Sequence, residues 1–169
     1  MTAGTLASLS NSIFASLGLP GVTDELGLGP SPFQKECLVI IDGMGLRQLE
    51  RFENEFPIFS QNKIRKELAS HFPTTTTVNL TSMATGVLPG VHGMLGYTVR
   101  VPRSGDPGRL LNALKWDERV DPIMWQKVPT LFERAKEFGI SVQQISAKRY
   151  EGTGFTRAAL RGANYVGAN

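Results

Sequence analysis

The sequence predicts an α/β fold with a mainly parallel sheet. Short apolar runs alternate along the chain with segments of helical periodicity, and this alternation is typical of parallel βα units. The clearest run covers residues 37–41, where five apolar residues in succession indicate a strand that is covered on both faces. Cys37, the only cysteine, lies in this run, so we expect an inert core thiol and no internal disulfide.

Apolar spacing, glycine and proline define the other elements of the first half. Apolar residues at helical spacing over residues 6–17 predict an amphipathic helix that ends near Gly18 and Pro20. Residues 18–32 are rich in Gly and Pro and are typical of a loop. The remaining elements predicted in this half are a helix over 46–52, a strand over 68–72, a turn from Pro73 through four threonines, and a helix over 78–85 that stops at a left-handed Gly86.

The second half begins with a predicted hairpin. Residues 96–101 and 110–116 would pair as strands around a turn at 104–108. Residues 130–133 read Thr-Leu-Phe-Glu and fit a capping box, which starts a helix whose apolar face ends at Gly139. The further predicted elements are a strand over 140–145, a helix over 155–160 and a strand over 165–166.

Composition and charge exclude several classes of protein. The net charge is +3, from 18 basic and 15 acidic residues, and no basic run with interleaved aromatic residues occurs, so we expect no nucleic acid polymer as a partner. No apolar stretch approaches the ~20 residues that span a bilayer. A secretory signal peptide needs a positively charged start and a continuous apolar core. The N-terminus has neither, since no Lys or Arg precedes Lys35. We therefore expect a cytoplasmic protein without a membrane partner.

Basic and aromatic side chains of the second half leave two interpretations open. The basic residues could guide an anionic substrate or be solvated surface charges. They are Arg100, Arg103, Arg109, Lys148, Arg149, Arg157 and Arg161. Trp116, Trp125 and Tyr97 could stack on a nucleobase, although core packing is the role that we expect for both tryptophans.

Two loops are candidate sites, because sites in open α/β sheets lie at the carboxyl ends of strands. Asp42 ends the apolar run, so its carboxylate is a metal ligand, a cap for the next helix or a turn former. Residues 73–79 precede a helix, whose free N–H groups attract phosphate. A threonine hydroxyl there is either a nucleophile that a metal activates or an N-cap, with Thr76 and Thr77 as the capping candidates.

Two motifs lie on either side of the predicted helix over 78–85. Residues 73–79 read Pro-Thr-Thr-Thr-Thr-Val-Asn, and residues 85–93 read Thr-Gly-Val-Leu-Pro-Gly-Val-His-Gly. At this spacing they resemble the Pro-Thr-x-Thr-x-x-Asn and Thr-Gly-x-x-Pro-x-x-His-Gly segments of type I phosphodiesterases and nucleotide pyrophosphatases, which belong to the alkaline phosphatase superfamily. Residues 41–44 similarly resemble the first metal-binding strand end of that family.

The resemblance assigns roles residue by residue. Thr76 matches the nucleophilic threonine, and Asp42 matches the aspartate that binds one zinc ion together with that threonine. Asn79, Thr85 and Gly86 match positions that shape the motif helix.

The resemblance also indicates what the two histidines do. His92 matches a motif histidine that is not a zinc ligand, so we expect it to be structural, whereas His71 has no family match and is expected near a strand end without a catalytic role. The family usually carries an asparagine that hydrogen-bonds a phosphate oxygen, and Tyr97 stands roughly in its place. The Tyr97 or Thr98 hydroxyl would then bind the substrate, which leaves monoester or diester preference open.

By this resemblance, the protein is a metal-dependent hydrolase of phosphodiester or nucleotide pyrophosphate bonds, with a small phosphorylated or nucleotide substrate. The implied fold is an alkaline phosphatase-like three-layer sandwich, present as an N-terminal half. We divide the chain into an N-terminal helix and loop over 1–32 and an N-terminal part of the catalytic domain over 33–169. Because Asn169 closes neither a helix nor a tail, we expect the chain to continue.

Two divalent metal ions, zinc in this family, would flank the scissile phosphate. Asp42 and Thr76 cannot hold both, because each metal needs about three protein ligands, so we expect the remaining ligands outside this chain and an inactive chain without them. One alternative is another hydrolase of the superfamily, such as a phosphomonoesterase or a phosphonate hydrolase. The other is a catalytically silent scaffold domain.

Overall fold

A computed structural model describes residues 4–33, 35–61, 66–105 and 108–169, with residues 60 and 61 described by their backbone alone. The helices there are α1 (Leu6–Ser16), α2 (Leu46–Arg51), α3 (Pro57–Gln61), α4 (Thr76–Thr85), α5 (Pro89–His92), α6 (Pro122–Trp125), α7 (Leu131–Glu137) and α8 (Gly154–Ala159), with a 3₁₀ turn at Lys148–Tyr150. The strands are β1 (Gly4–Thr5), β2 (Leu68–Ala69), β3 (Thr98–Arg100), β4 (Leu110–Asn112), β5 (Gln143–Ala147) and β6 (Asn164–Ala168).

The strands pair two by two. β1 and β2 are parallel, β5 and β6 are parallel, and β3 and β4 form the predicted antiparallel hairpin with Val99 opposite Leu111. Helices and strands are mixed as in an α/β domain, but the described residues form three separate two-stranded sheets instead of the one mainly parallel sheet that the sequence predicts. Within those residues no helix combines the length and hydropathy needed to cross a bilayer.

The strand predicted over residues 37–41 is wrong for this structure. These residues have no regular secondary structure and all five are exposed, with Val39 at 73%. Cys37 is likewise an exposed free thiol and not the core residue that we expected. The physical reason is that an apolar run becomes a buried strand only where a neighbour supplies hydrogen bonds and a covering layer, and no described strand pairs with this run.

Helix α1 is confirmed, but a different face of it is buried. Phe14 packs with Leu19, Leu131 and Ala135 in an apolar cluster. The three leucines at helical spacing within residues 6–17 are only half-buried. The other buried positions are Ala7 and three serines, Ser8, Ser10 and Ser12. Two of these serines have partners in the following loop: Ser12 Oγ accepts the Leu26 N–H at 2.9 Å, and Ser8 Oγ donates to Glu25 Oε2 at 2.6 Å. These hydrogen bonds offset the free-energy cost of burying the two hydroxyl groups.

The structure confirms the helix ends that were predicted from short sequence motifs. Gly86 ends α4 with φ at 70°, and a Cβ on it would collide with the Asn11 amide, which donates to the Gly86 carbonyl at 2.9 Å. Helix α7 starts with the predicted capping box. The Glu133 N–H donates to Thr130 Oγ1 at 3.0 Å, and the Thr130 N–H donates to Glu133 Oε2 at 2.9 Å.

The hairpin and α8 form a second core. Met94, Ala113 and Phe155 are buried together, and Trp116 and Trp125 pack both against them and against the cluster on the hairpin. Core packing of both tryptophans is therefore confirmed.

Candidate active site

Asp42 and Thr76 meet although 34 residues separate them. The Thr76 hydroxyl donates to Asp42 Oδ2 at 2.9 Å, with Asp42 exposed and Thr76 half-buried. Asp42 does not cap α2, because the N-cap of that helix is Gly45, whose N–H donates to Gln48 Oε1 at 3.1 Å. A carboxylate that accepts the hydroxyl proton turns the hydroxyl oxygen into a better electron-pair donor.

The first turn of α4 supplies hydrogen-bond donors around the same hydroxyl. Thr75 is the N-cap and makes no side-chain capping bond, so the alternative that Thr76 or Thr77 caps the helix is wrong. Thr77 instead donates to the Gly96 carbonyl at 3.0 Å. No described residue accepts a hydrogen bond from the N–H groups of Thr76, Thr77 and Val78. Unpaired N–H groups at a helix start form a site for an anion such as phosphate.

Asn79 fixes the chain that enters this turn. Its side chain is buried, accepts the His71 N–H at 2.8 Å, and donates to the carbonyls of His71 at 3.3 Å and Thr75 at 3.1 Å. One amide thereby joins the segment after β2 to the start of α4. The structural role that the resemblance implies for Asn79 agrees with these contacts, but the tie to His71 has no signal in the sequence.

His92 is buried between α4 and the loop after α5. Its Nδ1 accepts the Met94 N–H at 3.1 Å, so Nε2 carries the proton and donates to Ser82 Oγ at 2.9 Å. Burial, and secondarily the charge of His71, lowers the pKa of His92 to about 4. A neutral histidine with both nitrogens occupied agrees with the structural role expected for it. Its partner Ser82 was not singled out by the sequence.

His71 lies two residues after β2, near a strand end as expected. Its side chain is buried, and burial lowers the pKa of its imidazole. Its Nε2 has no hydrogen-bond partner among the described residues.

Tyr97 and Thr98, the expected substrate-binding residues, follow Gly96 at the start of the hairpin. Both are exposed, and the Gly96 carbonyl brings this segment beside the first turn of α4. Neither side chain is hydrogen-bonded to Asp42 or Thr76 within the described part of the chain. The structure thus brings together Asp42 and Thr76 and places Tyr97 and Thr98 on the adjoining loop.

The donor set fits one part of a metal site. Asp42 and Thr76 offer two neighbouring oxygen atoms, which suit a divalent cation. No group of three or more His, Cys, Asp and Glu side chains that could hold a metal occurs in residues 4–33, 35–61, 66–105 and 108–169. The described residues therefore supply a pair of ligands and not a complete coordination shell.

Comparison with models of known protein families gave a match. A sequence model described as type I phosphodiesterase / nucleotide pyrophosphatase matches residues 37–160, which include both motifs and the Asp42–Thr76 pair. No curated protein and no solved structure matched the chain.

Proposed function

The chain belongs to the type I phosphodiesterase / nucleotide pyrophosphatase family, and from this membership we propose that it hydrolyses phosphodiester or pyrophosphate bonds with Thr76 as the nucleophile. The observation that carries the proposal is the 2.9 Å hydrogen bond from Thr76 Oγ1 to Asp42 Oδ2 at the start of α4. A hydroxyl needs a neighbouring base or a cation to act as a nucleophile, and among the described residues the Asp42 carboxylate accepts the hydrogen bond of this hydroxyl. The substrate is a small phosphorylated compound or a nucleotide.

Three groups of this chain would act on the phosphate. Thr76 Oγ forms a bond to phosphorus while the bond from phosphorus to the leaving oxygen breaks, and Asp42 holds the hydroxyl proton at Oδ2. The unpaired N–H groups of the first turn of α4 donate to non-bridging phosphate oxygens, where negative charge accumulates. Water then breaks the bond between Thr76 Oγ and phosphorus, which releases phosphate product and restores the hydroxyl.

Metal ions of this family, two zinc ions by our expectation, would use Asp42 and Thr76 as ligands. A bound divalent cation supplies charge that lowers the pKa of an oxygen it contacts. The exposed position of Asp42 leaves room for such a cation, and the remaining ligands would come from outside the described residues.

The fold that we propose is the three-layer sandwich of the alkaline phosphatase superfamily. The proposal is supported by the family to which the chain belongs and by the mixture of helices and strands in the described residues.

The test of the nucleophile uses single substitutions in the intact protein and a chromogenic phosphodiester. Thr76→Ala should lower kcat/KM at least about a thousandfold, because no other hydroxyl of the described residues is hydrogen-bonded to Asp42, while Thr76→Ser should keep part of the activity. Thr74→Ala is the matched control, since Thr74 is exposed and makes no hydrogen bond within the described residues. Turnover by Thr76→Ala at the rate of Thr74→Ala would rule out this nucleophile.

The same assay tests Asp42. Asp42→Asn keeps the shape of the side chain but removes its charge, so bound metal and turnover should fall together, each at least about tenfold. Glu118→Gln removes one charge from an exposed carboxylate elsewhere and should change neither quantity. Full metal content in Asp42→Asn would contradict the assignment of Asp42 as a ligand.

A further inference from the structure

Thr77 is a buried residue that directly follows the proposed nucleophile in the first turn of α4. Its hydroxyl donates to the Gly96 carbonyl at 3.0 Å, across 19 residues of chain. The buried threonines one and two turns later behave differently, because the Thr81 and Thr85 hydroxyl groups each donate at 2.7 Å to the carbonyl four residues earlier in the same helix. Thr77 therefore joins α4 to a segment outside the helix.

The Thr77 hydroxyl has two partners but only one proton. A carbonyl oxygen only accepts, so that proton goes to Gly96. The Thr77 oxygen then accepts from Thr75 Oγ1, which lies 3.3 Å away. Thr75 is the N-cap of α4 and makes no side-chain capping bond. Removal of the Thr77 hydroxyl would therefore take a partner away from both Thr75 and Gly96.

The segment that Thr77 holds is also attached on its other side. The Tyr97 carbonyl accepts the N–H of Ala113, a buried residue that follows β4, at 2.9 Å. The successive carbonyls of Gly96 and Tyr97 thus bind α4 and the hairpin, respectively. The backbone is held at both residues while the Tyr97 side chain stays exposed. A side chain on a backbone held in this way is ordered before a ligand arrives, which lowers the entropic cost of binding.

This hydrogen bond connects the two parts of the candidate site through their nearest neighbours in sequence. Thr77 follows Thr76, and Gly96 precedes Tyr97 and Thr98, the residues expected to bind the substrate. The separation of the nucleophile from these two residues therefore depends on the Thr77 hydroxyl.

The loop ahead of Gly96 has an attachment of its own to α4. His92, the last residue of α5, donates from Nε2 to Ser82 Oγ at 2.9 Å. A protein without the Thr77 hydroxyl keeps this attachment. We therefore expect its loss to displace Tyr97 relative to α4 and not to unfold the loop.

We propose that Thr77 is a positioning residue for substrate binding, which holds Tyr97 and Thr98 beside Thr76 through the Gly96 carbonyl. The effect on the substrate rests on the proposed function, whereas the tie between α4 and the segment rests on the hydrogen bonds alone. Contacts that the substrate makes equally before and during the chemical step affect KM and not kcat. Loss of the tie should therefore raise KM.

The kinetic test measures kcat and KM of the intact protein with bis(4-nitrophenyl) phosphate. Thr77→Val replaces the hydroxyl by a methyl group and should raise KM at least about fivefold, with kcat within about twofold of wild type. Thr77→Ser keeps the hydroxyl and should keep KM. Thr81→Val is the matched control, since Thr81 is equally buried but bonds only within α4, and it should also keep KM. A lower kcat at unchanged KM in Thr77→Val is what simple destabilisation would give, and it would overturn the positioning role.

A double-mutant cycle tests whether Thr77 acts through the two expected substrate-binding residues. Tyr97→Phe together with Thr98→Val removes both candidate hydroxyl groups. In that background Thr77→Val should change KM by less than about twofold, because the groups that it positions are gone. A KM increase as large as in the wild-type background would contradict the proposal.

Amide hydrogen exchange separates this inference from the proposed function, because it requires no turnover. The Ala113 N–H should exchange at least about tenfold faster in intact Thr77→Val protein than in Thr81→Val protein, since its acceptor belongs to the segment that Thr77 holds. Equal exchange in the two variants would overturn the tie itself. Faster exchange in a protein whose wild type hydrolyses no diester would keep the tie and overturn the proposed function instead.

Discussion

His92 is a buried histidine with a hydrogen-bond partner at each ring nitrogen. Ser82 and the Met94 N–H occupy the two nitrogens, and a proton on Nδ1 would displace the Met94 bond. Its pKa of about 4 lies below the ordinary value of 6.5 because burial penalises the charged form. Burial also lowers the pKa of His71. Both side chains are therefore neutral in the folded protein above pH 6.5.

We predict that the melting temperature falls as the pH is lowered from 6.5 towards 4. In this window the unfolded chain binds protons at His92 that the folded chain does not, so the stability that neutral His92 contributes is complete above pH 6.5 and is lost as the pH falls through 4. Calorimetric scans at pH 7.5, 6, 5 and 4.5 measure the effect. His92→Gln should have a shallower dependence, with the remainder due to His71. A wild-type melting temperature that is constant over this range would contradict the prediction.

At the scale of elements, the side-chain amide of Asn79 fixes the position of the segment that precedes α4. Asn79 lies in the second turn of the helix, yet its bonds hold His71 and Thr75, which precede the helix. This contact sets where Thr76 lies relative to the segment after β2. A substitution at Asn79 should therefore change stability and turnover together, although the Asn79 side chain is hydrogen-bonded to neither Asp42 nor the Thr76 hydroxyl.

Asn79→Ala should lower the free energy of unfolding by about 1.5–5.5 kcal/mol. The substitution leaves the His71 N–H and carbonyl without partners, at about 1–3 kcal/mol for each buried group, and the better helix propensity of alanine offsets about 0.5 kcal/mol. Urea denaturation of the intact protein measures the change. Asn164→Ala, at an exposed asparagine, is the control and should stay within about 0.5 kcal/mol of wild type. Equal midpoints for the two variants would contradict this role.

Elements that local chemistry defines could be predicted from the sequence. The capping box of Thr130 and Glu133 needs only residues three apart, and Gly86 stops α4 because its own backbone adopts a left-handed conformation. The strand predicted over residues 37–41 is wrong because a strand depends on more than local chemistry. Its apolar sequence gives no information on which strand pairs with it, and parallel pairing depends on residues far away in the chain.

The candidate site was predictable only in part, and from the family resemblance instead of local chemistry. The resemblance pointed to Asp42 and Thr76, and the structure brings them into contact across 34 residues. The basic residues of the second half could not be assigned in this way. The sequence left open whether Arg103 guides an anionic substrate or is a solvated surface charge, and it favoured the surface charge.

At the scale of the whole molecule, the described surface carries much exposed apolar area. Residues 38–41 are all more than 40% exposed, Phe72 is 89% exposed, and Ile145 on β5 is 72% exposed. Side chains of this kind are usually covered by other protein. The exposed run ends at Asp42, so whatever covers it would also lie beside the candidate metal ligands.

The final prediction is that the 169-residue chain alone binds zinc poorly and does not hydrolyse diesters. Each catalytic zinc ion needs about three protein ligands, and the described residues offer only Asp42 and Thr76. Without a complete shell, no cation lowers the pKa of the Thr76 hydroxyl, so attack at neutral pH would be slow. Competition with a chromogenic chelator measures zinc affinity, and a 4-nitrophenyl phosphodiester measures turnover on the same sample. Stoichiometric zinc binding, together with turnover that Thr76→Ala abolishes, would show that this chain supplies a complete metal site.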